Sequence, residues 1–273
     1  MKYGVVLFAT DETIAPAVLG PALEERGFDA LFVPEHSHIP ASRESPAPGG
    51  GDLPRHFYRT VDVFVTLSVV AATTSRLLLG TGVALPAERD VIHTAKQVAS
   101  LDLVSGGRAL FGVGVGWNRE EVRDHGVDPR RRGKVLDEKL AAMARIWSDE
   151  VAEFHGEYVD FDPMYCWPKP VQTPHPPIYV GGESDAALRR LRDHGDAWLR
   201  DRFDLETFRR VRSWLGEEGR PDVGFTAFGA DPDDLDTTGF DEVGVERVAF
   251  WVDPGPERDV LSRLDAIAER WMP

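Results

Sequence analysis

Residues 76–118 read RLLLGTGVALPAERDVIHTAKQVASLDLVSGGRALFGVGVGWN. Two apolar, glycine-studded stretches, 76–83 and 108–113, flank a segment of helical spacing at 90–104, for which Asp90 is a natural N-cap. Strand, crossover helix and strand form the unit of a parallel sheet. In such folds ligand chemistry sits at the carboxyl ends of the strands. The tips to inspect are therefore Gly82-Val83 and the run Gly112-Val113-Gly114-Val115-Gly116-Trp117.

Outward from this stretch the same alternation continues. Upstream, 3–9 is a continuous apolar run, as a strand buried on both faces requires, and 28–33 reads as a second buried strand. A helix at 14–26, closed by Gly27, lies between them, and the second run ends in Pro34-Glu35-His36-Ser37-His38. Residues 39–59 hold Pro40, Pro46, Pro48, Gly49, Gly50, Gly51 and Pro54; so long an irregular segment after a strand tip reads as a lid. A helix follows at 62–75. Downstream, 118–132 is polar, 134–147 is helical, and VAEF and EYVDF around His155-Gly156 predict a hairpin. With the Pro-rich 162–177 it forms an insertion, 151–177. Strands are expected at 178–181, 196–199, 223–228 and 247–252. Helices are expected at 184–194, 205–215 and 257–270, with a weak one near 233–240. Eight strands alternating with helices over 273 residues predict a (β/α)8 TIM barrel as one domain, 1–273. An open doubly wound sheet is the alternative and usually has fewer strands.

The net charge of −15, from 46 acids against 31 bases, argues against a nucleic-acid surface, which needs a basic face. Cys166 is the single cysteine, so no internal disulfide is expected; a packed thiol in a reducing cytoplasm fits the count. The N-terminal apolar run meets Asp11 and Glu12 at once and does not read as a signal peptide. No apolar run approaches the roughly 18 residues of a membrane helix. A cytoplasmic enzyme acting on a small molecule, without nucleic acid or membrane, is expected.

Gly112, Gly114 and Gly116 give G-x-G-x-G, not the dinucleotide G-x-G-x-x-G, and no acid follows at the required distance. Glycines there allow a flat ligand to approach backbone, or simply tight packing. Gly181-Gly182-Glu183-Ser184 ends a strand and opens a helix, either an anion-binding turn or a plain Ser184 cap. His36 and His38 invite comparison with the His-x-His of barrel metal hydrolases, but the later tips supply no further ligands beyond Asp253. A site role is favoured for His36, with Glu35 setting its protonation, and a structural one for His38. Glu35 and Asp253 as paired carboxylates for glycoside chemistry rest on position alone. Trp117 stands at a tip, unlike Trp167, Trp198 and Trp251, which read as core or wall residues.

The run P-x7-TAKQVASLDLVSGGRALFGVGVGWNREE, with GTGVALP before it and PKPVQTPHPPIYVGG after it, resembles the luciferase-like monooxygenase superfamily, and within it the branch of predicted F420-dependent oxidoreductases. The resemblance extends from the first strand to about residue 199. It implies a (β/α)8 barrel that binds a flavin or the deazaflavin coenzyme F420 at the carboxyl ends of the strands, with an insertion after the fourth unit. It also implies a non-proline cis peptide at Gly82-Val83. By position, Glu35 and His36 are implied beside the deazaflavin ring and Gly82 and Val83 at its back. Gly114, Gly116, Trp117 and Asn118 are implied at its edge, and Gly181, Gly182, Glu183 and Ser184 at the phosphate. Some members place an acid where Trp117 stands and use it as a proton donor, so that role is absent or moved here.

The activity this implies is hydride transfer between F420 and an unidentified organic substrate, with His36 handling the proton, in a homodimer. One alternative is an FMN-dependent monooxygenase fed by a separate reductase. Another is a cofactor-binding barrel without turnover, and the fourth is the metal hydrolase.

Overall fold

The computed structural model describes residues 1–201 and 203–272. Eight parallel strands close into a barrel in the order β1 (Lys2–Val6), β2 (Ala30–Val33), β3 (Leu78–Thr81), β4 (Ala109–Val113), β7 (Ile178–Gly181), β8 (Ala197–Arg200), β9 (Gly224–Ala230) and β10 (Val245–Trp251), which pairs back onto β1. The remaining two strands, β5 (Ala152–His155) and β6 (Asp160–Met164), form the expected antiparallel hairpin outside the barrel. Helices α1 (Pro16–Glu25), α2 (Val63–Thr73), α3 (Val91–Ser105), α5 (Arg132–Ser148), α6 (Asp185–His194), α7 (Leu205–Glu217) and α8 (Glu257–Trp271) follow the strands.

The barrel packs by alternating period and complementary size. Leu31 and Val33 of β2 face the helices, whereas Ala30 and Phe32 face the lumen with Val6, Leu110, Tyr179, Leu199 and Ala249. Phe32 crosses the lumen over Gly80: a Cβ there would lie 2.4 Å from its ring. Gly112 is needed for the same reason, since its Cβ would meet the Thr81 carbonyl oxygen at 1.9 Å. Gly80 is thus the small partner of a large ring, and Gly112 lets two strand backbones approach closely.

Helix starts follow their caps. Asp62 Oδ1 accepts from the Phe64 and Val65 N–H groups, Asp90 Oδ1 accepts from His93 N–H, and Ser184 Oγ from Ala187 N–H. One element was not anticipated and one expectation fails. The polar run 118–132 contains a short helix, α4 (Arg119–Asp124), capped by Asn118. Residues 233–240 are not helical. There the side chains of Asp231 and Asp236 accept from the N–H groups of Asp233 and Thr238, and Gly239 has φ +82°; such side chains offer the backbone turns in place of a helix.

Two carboxylates, buried Asp102 and half-buried Glu138, tether the insertion to the barrel. Asp102 of α3 accepts from Val171 N–H, Gln172 N–H and Gln172 Nε2, and Glu138 of α5 accepts from the backbone of Glu157, Tyr158 and Val159. Cys166 is buried and unpaired. Among the described residues no helix is long and apolar enough to cross a membrane.

Candidate active site

A cavity of about 540 Å³ opens at the carboxyl ends of the strands. Its floor is Val83, which follows the cis Gly82-Val83 peptide. Glycines flank Val83: a Cβ on Gly114 would lie 2.6 Å from Val83 Cγ2, and one on Gly181 would lie 3.2 Å from Cγ1. Side chains at either tip would displace it, so the glycines keep a flat platform open. Gly116 and Gly182, at φ +73° and +99°, continue the wall in backbone that favours glycine.

His36 stands at one side, 9% exposed. Its Nδ1 lies 2.7 Å from Glu121 Oε2, and its Nε2 lies 3.1 Å from Trp117 Nε1. Indole nitrogen only donates, so Nε2 accepts and the neutral ring carries its proton on Nδ1, donated to Glu121. Burial alone would raise the Glu121 carboxyl, but the bonds from His36 and from the Ser37 and His38 N–H groups hold it below the ordinary carboxylate range.

The expected partnership of Glu35 with His36 is not formed. Glu35 bonds Arg89, including Nε at 2.6 Å, and accepts from Leu85 N–H at 2.8 Å, although it still lines the cavity. Glu121 takes the role instead, from a helix that polar composition hid. Asn118 also departs from expectation. Buried and bonded to the Glu120 and Glu121 N–H groups, it shapes the turn that aims Glu121 and does not line the cavity. The signal was present: Asn118 and Glu121 have the spacing of a capping box, whose acid here turns to His36.

Gly181 and Gly182 line the cavity, whereas Glu183 and Ser184 lie outside it. The Ser184 hydroxyl is engaged as the α6 cap, and Glu183 pairs with Arg200, which also bonds Asp204 at 2.9 Å. Among the described residues, Arg132 is the guanidinium on the cavity wall; its Nε donates to Gly116 O at 3.3 Å, and burial and neighbouring Arg119 lower its pKa.

An acid near the Trp117 tip does exist, one layer back. Glu88 is buried in the turn Pro86–Glu88, and its Oε1 lies 3.0 Å from where a Gly116 Cβ would stand. Among the described residues, Oε1 has no hydrogen-bond partner. Burial first, then the nearby charges of Glu121 and Glu35, pushes its pKa up to about 9, so it is a neutral acid at pH 7.

The lid expectation meets a segment packed over the cavity. Pro48 and Phe57 line the cavity, with Phe57 5.4 Å from His36 and 6.2 Å from Trp117 by ring centroid. Ser45 bonds Glu120 of α4, and Arg55 and Arg59 pair with Glu12 and Asp11. His38 lies 5.7 Å from the His125 ring, yet among the described residues no group of three or more His, Cys, Asp or Glu is placed to hold a metal ion.

The chain is 39% identical, over 99% of its length and 98% of the other's, to an uncharacterised protein of Mycobacterium tuberculosis. It is 28% identical to the F420-dependent hydroxymycolic acid dehydrogenase of the same organism, over 85% of this chain and 59% of that enzyme. The crystal structure of monooxygenase RslO1 from Streptomyces bottropensis superposes with a TM-score of 0.79 at 20% identity, covering 100% of this chain and 99% of that one. Matching proteins thus include F420-dependent and FMN-dependent enzymes. The luciferase-like monooxygenase family model matches residues 17–234, and the chain belongs to that family.

Proposed function

We propose that this protein is an oxidoreductase that transfers hydride between F420 and a small organic substrate, with His36 exchanging the accompanying proton. The observation behind this reading is His36, oriented by Glu121 and Trp117, at the edge of the platform that Gly114 and Gly181 keep open around Val83. The platform fits a flat ring: the positions on either side of Val83 lack side chains, and a Cβ at each would crowd it. The family match supports a flavin-type cofactor, and the F420-dependent relative is what favours F420 within it.

Bound F420 supplies the hydride chemistry, and the protein contributes binding, orientation and proton handling. Val83, Gly82, Gly114 and Gly116 would hold the ring. Gly181 and Gly182, at the passage from β7 to α6, and Arg132 would take the anionic end of the coenzyme. His36 Nε2 exchanges the proton, and Trp117 Nε1–H occupies that nitrogen until substrate replaces it. Phe57 and Pro48 line the cavity on the side of the 39–59 segment. A second copy of the chain is expected against α2 and α3, where Val65, Val69 and Val104 leave an exposed apolar groove.

Titration of the apoprotein with F420 and FMN in parallel, read by fluorescence quenching, tests the cofactor. Micromolar or tighter F420 binding with weak FMN binding is expected. Preference for FMN would make the protein a monooxygenase that needs a separate reductase, and binding of neither would remove the flavin reading. A His36→Ala variant should bind F420 normally and lose turnover; full turnover would disprove the proton role. Binding without hydride exchange by the unaltered protein would mark a barrel without activity.

A further inference from the structure

A continuous series of hydrogen bonds runs from His36 to the surface. Glu121 bonds His36 Nδ1 through Oε2, while its Oε1 accepts from Ser37 Oγ at 3.2 Å and from Ser37 N–H at 2.8 Å. Ser37 Oγ also lies 2.8 Å from His38 Nδ1 and 2.7 Å from His125 Nε2. His38 Nε2 lies 3.0 Å from Asp124 Oδ2. Exposure rises along the series: the side chains of His36 and Glu121 are 5% and 1% exposed, and those of His38 and Asp124 are 40% and 55%.

Ser37 is the pivot. Its hydroxyl has one proton and three neighbours within range: a carboxylate oxygen and two imidazole nitrogens. A hydroxyl that rotates among such partners can accept a proton from one and give its own to another. A purely structural link needs only one of these contacts, and the Ser37 N–H already holds Glu121.

We propose that Glu121, Ser37 and the His38–His125 pair form a proton conduit joining His36 Nδ1 to solvent, so that His36 can exchange a proton while its cavity is covered. This rests on the proton role assigned to His36 above. One proton enters at His36 Nε2. The Nδ1 proton passes to Glu121 Oε2, rotation of the protonated carboxyl carries that same proton to Ser37 Oγ, and Ser37 passes its own hydroxyl proton to His38 or His125. No electrons move along the series, and His36 regains the observed tautomer by solvent exchange once the cavity opens. The groups around the conduit are Asp124 beside His38, and, in an adjoining chamber of about 330 Å³, Glu35 and Asp62, both paired with Arg89, and the neutral Glu88. Ser37, His38 and His125 are positioning residues here, because they act through His36.

The test uses the cofactor-free protein with ¹⁵N-labelled histidine. Solvent exchange of the His36 Nδ1 proton is measured by NMR in the unaltered chain, in Ser37→Ala and in Ser37→Thr. Ser37→Ala is expected to slow exchange at least tenfold while the His36 ring ¹⁵N shifts stay in place, and Ser37→Thr, which keeps the hydroxyl, is expected to restore it. Equal exchange in all three proteins would overturn the conduit. So would altered ring shifts in Ser37→Ala, since the hydroxyl would then be holding His36 in position. Because no cofactor is present, failure to bind F420 would sink the functional reading without deciding this one.

Discussion

At the amino-terminal end of the barrel, Arg247 reaches Asp29 at 2.7 Å and the Tyr179 hydroxyl at 3.0 Å. Nearby, Arg108 donates all five guanidinium N–H groups, four to carbonyls and one to the Thr74 hydroxyl. At the carboxyl end, Glu88 is equally buried yet its Oε1 has no partner among the described residues, and the surrounding tips are glycine. One end saturates its buried charges and is rigid by construction. The other leaves a buried acid and an open platform, arrangements that cost stability and are retained where chemistry uses them.

The contrast can be broken from either side. Arg247→Ala should be the largest effect: it strands Asp29 and Tyr179 and should cost about 3–5 kcal/mol in denaturant unfolding, with cofactor affinity of the folded fraction unchanged. Equal stability would mean the saturated end contributes nothing.

Glu88→Gln should act in the opposite direction. The folded-state pKa of Glu88, about 9, lies above the unfolded value near 4.5, so the native chain keeps a proton that the unfolded chain releases. Its contribution to stability is complete below about pH 4.5 and is lost as pH rises toward 9. Gln does not titrate, so the variant should gain on the parent by about 1.4 kcal/mol per pH unit, about 3 kcal/mol between pH 6 and 8. Parallel stability–pH curves would show that Glu88 does not titrate there.

Glu121→Gln sharpens the comparison within the site. Nδ1 of His36 loses its carboxylate, and kcat should fall about hundredfold with little change in F420 affinity. A change in affinity alone would make Glu121 a binding residue. Gly114→Ala should be mildest: its methyl pushes on Val83 and should weaken cofactor binding about tenfold, or about 1.4 kcal/mol, read in the same titration. Unchanged affinity would show that the platform tolerates a methyl.

Local chemistry made much of this legible in the chain alone. Apolar runs marked the eight barrel strands, Asp62, Asp90 and Ser184 marked helix starts, and glycine-rich tips at 82, 114, 116, 181 and 182 marked the cavity wall. These are short-range properties, read from period, capping and the space a side chain needs. Tertiary structure alone decided which acid serves His36. Glu35 is its neighbour in sequence, but Arg89, 54 residues on, claims that carboxylate, while Glu121, 85 residues from His36, is brought in by the close of the barrel. The burial of Glu88 beside Gly116 was decided in the same way. Periodicity can say that a residue lies at a strand tip; which charges meet there depends on desolvation and pairing between segments that only the closed barrel brings together.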